Sequence, residues 1–328
     1  MRRSLRVLQL QETPAASAVV ALVVVFSIAS AHFRTVSNIN DLLLTSLFVL
    51  FVAIGMTFVL TAGGIDLSVG SVMGLGGAIT GLLLEHGAGT TLALAGGLMS
   101  GVVVGLLNGL VITRLKLADF MVTLASLSIV QGIVEMMTAN QPINYSGNAL
   151  GNLSGATVGP VSVAVIYAVV ITVIMAFILR FTSFGRAIFA VGMNPRAARL
   201  SGINVEATRV LAYVVSGFMA ALAGVFLASY LSTVQALQGS GYELEAIAAA
   251  VIGGTSLLGG KGSVWGAALG ALLLGTLQNG LVLASLSGYW FDVVEGAVIV
   301  AAVALGGGLQ VLRTIAIPVE SRRARAAG

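Results

Sequence analysis

The chain is a succession of long apolar runs that carry almost no charge. They lie at residues 14–31, 42–64, 67–84, 90–113, 118–138, 161–179, 210–230, 243–258, 264–286 and 290–311, parted by short polar or glycine-rich breaks. A helix needs about 20 apolar residues to cross a bilayer core. Backbone in lipid has no water to bond, so it must satisfy itself within helices or a closed barrel. These runs are continuous rather than alternating, which selects helices. Hydrophobic residues make up 58% of 328 positions and charged ones 9%, with a mean hydropathy of +1.05. A water-soluble domain cannot hide that much apolar surface. The expected fold is an all-α polytopic membrane protein of ten spans, one transmembrane domain over residues 1–328. The eighth run is the weakest, because Glu243 and Glu245 crowd its start and glycines its end. The first run is followed by His32, Phe33 and Arg34 without a small-residue cleavage site, so it reads as a span rather than a signal peptide.

Basic residues orient such a chain, because cytoplasmic segments are enriched in Lys and Arg. With ten spans and the N-terminus inside, the inner segments hold Arg2, Arg3, Arg6, Arg114, Lys116, Arg180, Arg186, Arg196, Arg199, Arg209, Lys261, Arg313, Arg322, Arg323 and Arg325. Only Arg34 of the 16 basic residues falls outside. Both termini are therefore expected in the cytoplasm. The net charge of +4 reflects this orientation and not nucleic-acid binding. There is no cysteine, which excludes disulfides and thiol chemistry.

Two parts of the chain are related. GIDLSVGSVMGLGG at 64–77 resembles GYELEAIAAAVIGG at 241–254, pairing Gly64 with Gly241, Asp66 with Glu243, and Gly76–Gly77 with Gly253–Gly254. NGLV recurs at 108–111 and 279–282. The first copy ends an inward-running span and precedes the basic RLK at 114–116. The second ends an outward-running span and precedes LASLSGYW, which has no basic residue. The halves, 40–138 (spans 2–5) and 209–308 (spans 7–10), thus run in opposite senses. Inverted repeats are typical of transporters, where each half can form one gate of an alternating path. Gly97, Gly101, Gly105 and Gly109 share one face of span four, and Gly266 and Gly270 do the same in span nine. Small faces let helices approach closely in lipid.

Between two apolar segments lies a polar island, GMNPRAARLSGINV at 192–205. Asn194 is a good N-cap. Pro195 suits the first helical position, where its missing N–H costs nothing. Gly202 supplies a stop after Ser201. The residues spell a short capped helix carrying Arg196 and Arg199, on the cytoplasmic side. Such a helix can be presented to a soluble partner, or it can simply join two spans.

Enzyme chemistry is poorly represented. His32 and His86 belong to no metal-binding pattern, and no nucleophile elbow is present. GGKGS at 259–263 fails as a phosphate loop, because Thr255 stands at the first required glycine and Gly262 at the Ser/Thr position. No catalytic, cofactor or metal residue is assigned. Asp66 and Glu243 begin spans three and eight, where a carboxylate complements a helix N-terminus; capping is the expected role of both, and Asp292 and Glu295 can act likewise in span ten. Glu135 is the deepest acid, near the outer end of span five. What remains for a solute is neutral polarity: Thr123, Ser126, Ser128 and Gln131 in span five, and Gln278 and Asn279 in span nine. Hydrogen bonding between helices explains the same residues equally well. The Asn-, Gly- and Ser-rich outer loop at 139–160 can receive a soluble binding protein or serve as a connector.

GIDLSVGS, then GRAIFAVGMNPRAARLSGIN, then GYELEAIAAAVIGGTSLLGGKG followed by GALLLG and LQNGL resemble the ribose-type permeases of bacterial ABC sugar importers. The similarity runs from residue 40 to 305; the basic tail 313–328 lies beyond it. The resemblance implies a multi-pass subunit of the bacterial inner membrane that pairs as a homo- or heterodimer. It implies a periplasmic or lipid-anchored sugar-binding protein outside and an ABC ATPase inside. ATP and Mg would be used by that ATPase, with no cofactor on this chain. The island matches the family's cytoplasmic coupling segment at 192–205, which implies ATPase contact for Asn194, Pro195, Arg196, Arg199, Ser201 and Gly202. Pro195 and Arg196 stand where the family often has acidic or small residues. Alternative readings are an ABC permease for branched-chain amino acids, an ion-coupled carrier or facilitator, and a membrane enzyme.

Overall fold

In a computed structural model, residues 2–285 are described except 146 and 147, with several further positions between 289 and 300. Most of the tenth predicted span, with Asp292 and Glu295, lies outside the described residues, as does the tail carrying Arg313, Arg322, Arg323 and Arg325. The long helices are α1 (Arg2–Ala29), α2 (Val36–Thr61), α3 (Val69–Glu85), α4 (Thr90–Leu115) and α5 (Asp119–Thr138). A segment of short elements follows, with β1 (Ile143–Asn144), α6 (Asn148–Gly155), β2 (Thr157–Val158) and β3 (Val161–Ser162). Then come α7 (Val163–Phe181), α8 (Ser183–Met193), α9 (Pro195–Leu200), α10 (Val205–Leu231), β4 (Thr233–Val234), α11 (Tyr242–Ile252) and α12 (Val264–Leu283).

Seven of these helices are long and apolar enough to cross a membrane: the apolar part of α1 from Glu12, then α2, α4, α5, α7, α10 and α12. The chain is an all-α polytopic membrane protein. The third expected span is the shorter α3. The eighth, expected at 243–258, is corrected. Its helix α11 stops at Ile252, because Gly253 and Gly254 follow and Gly254 adopts a φ of +91°. Eleven residues rise roughly 16 Å, about half of a bilayer core.

Helix α2 is the axis. Some 83% of its apolar window is buried, against 17% for α5. Phe51, Val52, Ile54, Met56 and Phe58 of α2 are fully enclosed. Helix α10 packs on α4, α2 and α3, while α12 packs on α1, α2, α7 and α11. Lipid tails are as apolar as leucine, so packing rather than water exclusion must hold these contacts. The predicted glycine face of α4 does this: Gly101 meets the Gly217 carbonyl of α10, Gly105 the Tyr213 carbonyl, and Gly109 the Val210 backbone. In the second half, Gly266 and Gly270 of α12 meet Gly253 and Ala249.

The segment between α5 and α7 is structured. Strand β1 pairs antiparallel with β4, joining Ile143 to Val234 and Asn144 to Thr233, and β2 pairs with β3. Ser154 donates to the Phe226 carbonyl of α10 at 3.1 Å. Tyr145 donates to the Ala228 carbonyl, and burial pushes its phenol up to about 12.

Candidate functional site

Thr182 opens α8 by accepting from the Gly185 N–H, and α8 ends at Met193. The chain then turns at Asn194, in an extended conformation. The Asn194 carboxamide oxygen accepts from the backbone N–H of Arg196 at 3.0 Å and of Ala197 at 3.1 Å. Pro195 takes the first helical position. Ser201 closes α9, and Gly202 follows at φ +82°, where a side chain would be strained. The capped helix predicted from the island is therefore formed as spelled.

Its seat is small and apolar. Ala198 is buried with Val191 and Val205, with Ala190 and Ile203 around them. Everything else on the knob faces outward: Asn194, Pro195, Arg196, Arg199, Ser201 and Gly202 are all exposed. So are two large apolar side chains, Leu200 at 91% and Met193 at 76%. Arg199 lies 3.6 Å from Glu206, an ion pair exposed on both sides; such pairs contribute about 0–1 kcal/mol. A cleft of about 310 Å³ beside it is lined by Arg199, Gly202, Ile203, Asn204, Val205 and Glu206. The projection thus presents two arginines and two bare apolar side chains on one small capped helix and the last residue of α8.

The second feature is a buried polar turn ahead of α3, where a helix cap is expected from the sequence. Asp66 does not cap α3: the N-cap is Ser68, and its side chain makes no capping bond. Asp66 instead folds the turn before the helix. Its Oδ1 accepts from the Ser68 N–H at 3.1 Å and from the Ser68 hydroxyl at 2.6 Å. Asn108 of α4 donates to the same hydroxyl at 2.9 Å. Asp66, Ser68 and Asn108 are all buried. Tyr213 of α10 donates to the Ile65 carbonyl at 3.3 Å, and Arg209 meets Asp119 at 2.5 Å just below. Glu243, aligned with Asp66 by the internal repeat, lies in the first turn of α11. Asp66 Oδ2 and Glu243 Oε2 share a property: both are buried without a hydrogen-bond partner.

The segment between β4 and α11 explains the short eighth span. It runs alongside α3, with Val234 against Gly81, Gln238 against Gly77, and Gly239 against Gly70. The chain thus passes down α3 in non-helical form before α11 begins. Non-helical backbone at membrane depth is tolerated where protein covers it. A Cβ on Gly70 would meet Gly239 and Glu243, and one on Gly77 would meet Gln238. Sequence inspection missed Gln238 and this descent. Its available signals were Gly239 and Gly241, and the glycines of α3 themselves.

The polar residues suggested for a solute path do not converge. Thr123 is fully buried and donates to the Asp119 carbonyl at 2.9 Å. Ser126 is half-buried, and Ser128 is exposed and bonds its own helix. Gln131 donates to Glu135 at 3.2 Å and to the Ala236 carbonyl at 3.3 Å. Helix α5 packs on α3 and α4, away from α12. There Gln278 is exposed, and Asn279 exchanges hydrogen bonds with Asn38 of α2 at 2.9 and 3.0 Å. A cleft of about 180 Å³ between α2, α7 and α12 contains none of them; it is almost wholly apolar, lined by Leu47, Leu50, Ala168, Trp265 and Leu272 among others.

Comparison with known proteins places this architecture. Residues 38–303 match a family model described as the branched-chain amino acid transport system / permease component. The chain is 36% identical over 298 residues to the ribose import permease protein RbsC of Escherichia coli K12, covering 90% of this chain and 93% of the relative. It is 41% identical over 286 residues to the protein of the same name from Bacillus subtilis 168, covering 87% and 89%. It is also 34% identical over 300 residues to the autoinducer 2 import system permease protein LsrC of Photorhabdus luminescens, covering 92% and 91%. No solved structure matches.

Proposed function

The chain belongs to this permease family, and on that premise we propose that it is the membrane-spanning subunit of an ATP-driven importer for a sugar or a similarly sized neutral polar solute. The observation that carries the sugar reading is the near end-to-end likeness to two ribose import permeases. The branched-chain amino acid alternative rests on the family description alone. An ion-coupled carrier is the weaker reading, because the chain projects a capped basic helix that such a carrier does not need.

The importer reading assigns partners by chemistry. A cytoplasmic ABC ATPase, using ATP and Mg, grips α9 and the end of α8 through Arg196, Arg199 and the exposed Met193 and Leu200. A solute-binding protein docks on the outer face formed around β1 to β4. A second permease subunit, identical or related, completes the pathway. Nucleotide-driven closure of the ATPase moves α9 as a lever, and the inverted halves open alternately to either side. Both termini are then cytoplasmic in the bacterial inner membrane. The buried turn at Asp66 and the descent at Gln238–Gly241 are the places where each half interrupts its helices, and these are where a path for a polar solute has backbone to use.

The test replaces Arg199 and Gly202 by alanine together. The complex, reconstituted in vesicles with its ATPase and binding protein, should insert normally and still hydrolyse ATP, but uptake of labelled D-ribose should fall at least about tenfold, a coupling loss of roughly 1.4 kcal/mol. Unchanged uptake would remove the lever assignment. Full uptake by the permease reconstituted without any ATPase would favour the carrier reading instead.

A further inference from the structure

Immediately behind α9, three separate stretches of chain meet backbone to backbone. The first is the end of α8 at Gly192. The second is the end of α2 at Thr61, which leads through Gly63 and Gly64 to the buried turn and α3. The third is the loop between α11 and α12 at Gly259 to Gly262. The Gly260 N–H donates to the Thr61 carbonyl at 2.9 Å. Gly192 lies flat on that same carbonyl: a Cβ there would collide with the oxygen and would sit 2.5 Å from the Gly260 nitrogen. A Cβ on Gly259 would be 2.9 Å from the Gly192 carbonyl oxygen and 3.0 Å from the Gly63 Cα. Gly262 lies against the Thr61 hydroxyl. Gly63, Gly259 and Gly260 hold φ values of +81°, +84° and +72°, conformations that glycine alone reaches cheaply.

We propose that Gly192, Thr61 and Gly260 form a rigid splice that carries the displacement of α9 into both halves of the chain, with Gly192 as its positioning residue. The inference rests on the lever reading of α9. Three facts support it. Only Met193 and Asn194 separate Gly192 from the first residue of α9. The partners of Gly192 belong to different halves, Thr61 to the first and Gly260 to the second, so one movement reaches both. The contact is between backbones. Side chains absorb small shifts by changing rotamer, whereas close-packed backbone transmits them. The glycine-rich stretch that fails as a phosphate loop thereby gains a mechanical use.

The experiment exploits the absence of cysteine. Ser240→Cys, at an exposed position before α11, gives a single thiol in the second half. Its maleimide labelling rate is measured in the complete complex with the ATPase, with and without ATP and vanadate. The rate in the otherwise unaltered chain should change with nucleotide. Adding Gly192→Ala should abolish that change while ATP hydrolysis continues. If the parent rate ignores nucleotide, the lever reading fails; if the parent responds and the Gly192→Ala protein responds equally, the splice fails. A second variant answers the case in which Gly192→Ala does not assemble. The hypothetical Gly262 Cβ is 3.3 Å from the Thr61 Cβ, close to the roughly 3.5–4.5 Å of a disulfide. Thr61→Cys with Gly262→Cys, oxidised before labelling, should keep the nucleotide response, because a rigid splice tolerates a clamp. Loss of the response, restored by reductant, would mean that the two halves slide past each other there, and would overturn the proposal.

Discussion

Gly217→Val is expected to prevent the bundle from assembling. Gly217 of α10 and Gly101 of α4 face each other so closely that a Cβ on either collides with the other's carbonyl oxygen. Neighbouring turns repeat the contact, with Gly105 on Tyr213 and Gly109 on Val210. Helix α10 cannot retreat, because its other faces are packed on α2 and α3. Overpacking costs about 1–3 kcal/mol when side chains can move aside. Here the obstacle is backbone, so more than about 3 kcal/mol is expected, a large share of the roughly 5–15 kcal/mol that holds a fold. The measurement is thermal unfolding in detergent, with the monodisperse fraction from size exclusion. Gly132→Val is the control: a Cβ there meets nothing within 4 Å, and a shift within about 0.5 kcal/mol is expected beyond helix propensity. If Gly217→Val melts where the control does, α4 and α10 are not in backbone contact.

Asp119→Ala is expected to cost about 2–4 kcal/mol, below the roughly 3–5 kcal/mol for breaking a fully buried pair. Asp119 opens α5 and Arg209 lies in the second turn of α10; their side chains are 16% and 26% exposed, at 2.5 Å. Removing the carboxylate leaves a guanidinium largely enclosed with no counter-charge. Residual exposure lets water relieve part of the penalty. The same carboxylate abuts Gly64, where a Cβ would lie 2.7 Å from its oxygen and 2.6 Å from the Tyr213 hydroxyl. The pair thus braces the turn that leads to Asp66. Arg209→Ala and the double variant complete a cycle, and a coupling of about 0.5–3 kcal/mol is expected. The contrast is Arg199 with Glu206, where Glu206→Ala should change stability by less than about 1 kcal/mol. Additive losses at Asp119 and Arg209 would show that the pair adds nothing beyond its separate members.

The two polar features differ in how far they can be read in advance. The α9 knob depends on neighbours in sequence. Asn194 bonds residues two and three ahead, Pro195 needs only a position, and Gly202 needs only a conformation. The buried turn at Asp66 also begins locally, with Ser68, but three other helices enclose it, through Asn108, Tyr213 and Thr123, whose hydroxyl lies 3.4 Å from the Ile65 carbonyl. A carboxylate before a helix reads as a cap until those helices are in place. The suggested path fails to converge for the same reason. Thr123 and Asn279 carry the right chemistry, yet one is taken up by its own helix and the Ile65 carbonyl, and the other bonds Asn38 far away in sequence.

Apolar length, unbroken by charge, was enough by itself to determine a helical membrane protein, and the caps around α9 were equally settled by local backbone chemistry. Which helix becomes the axis, where the chain abandons helix to descend along α3, and which glycines touch were decided only in three dimensions. In lipid every apolar face is equally content with solvent, so hydrophobic pattern cannot rank partners. The choice falls to close backbone approach, and whether two glycines from distant segments meet is a property of the assembled bundle.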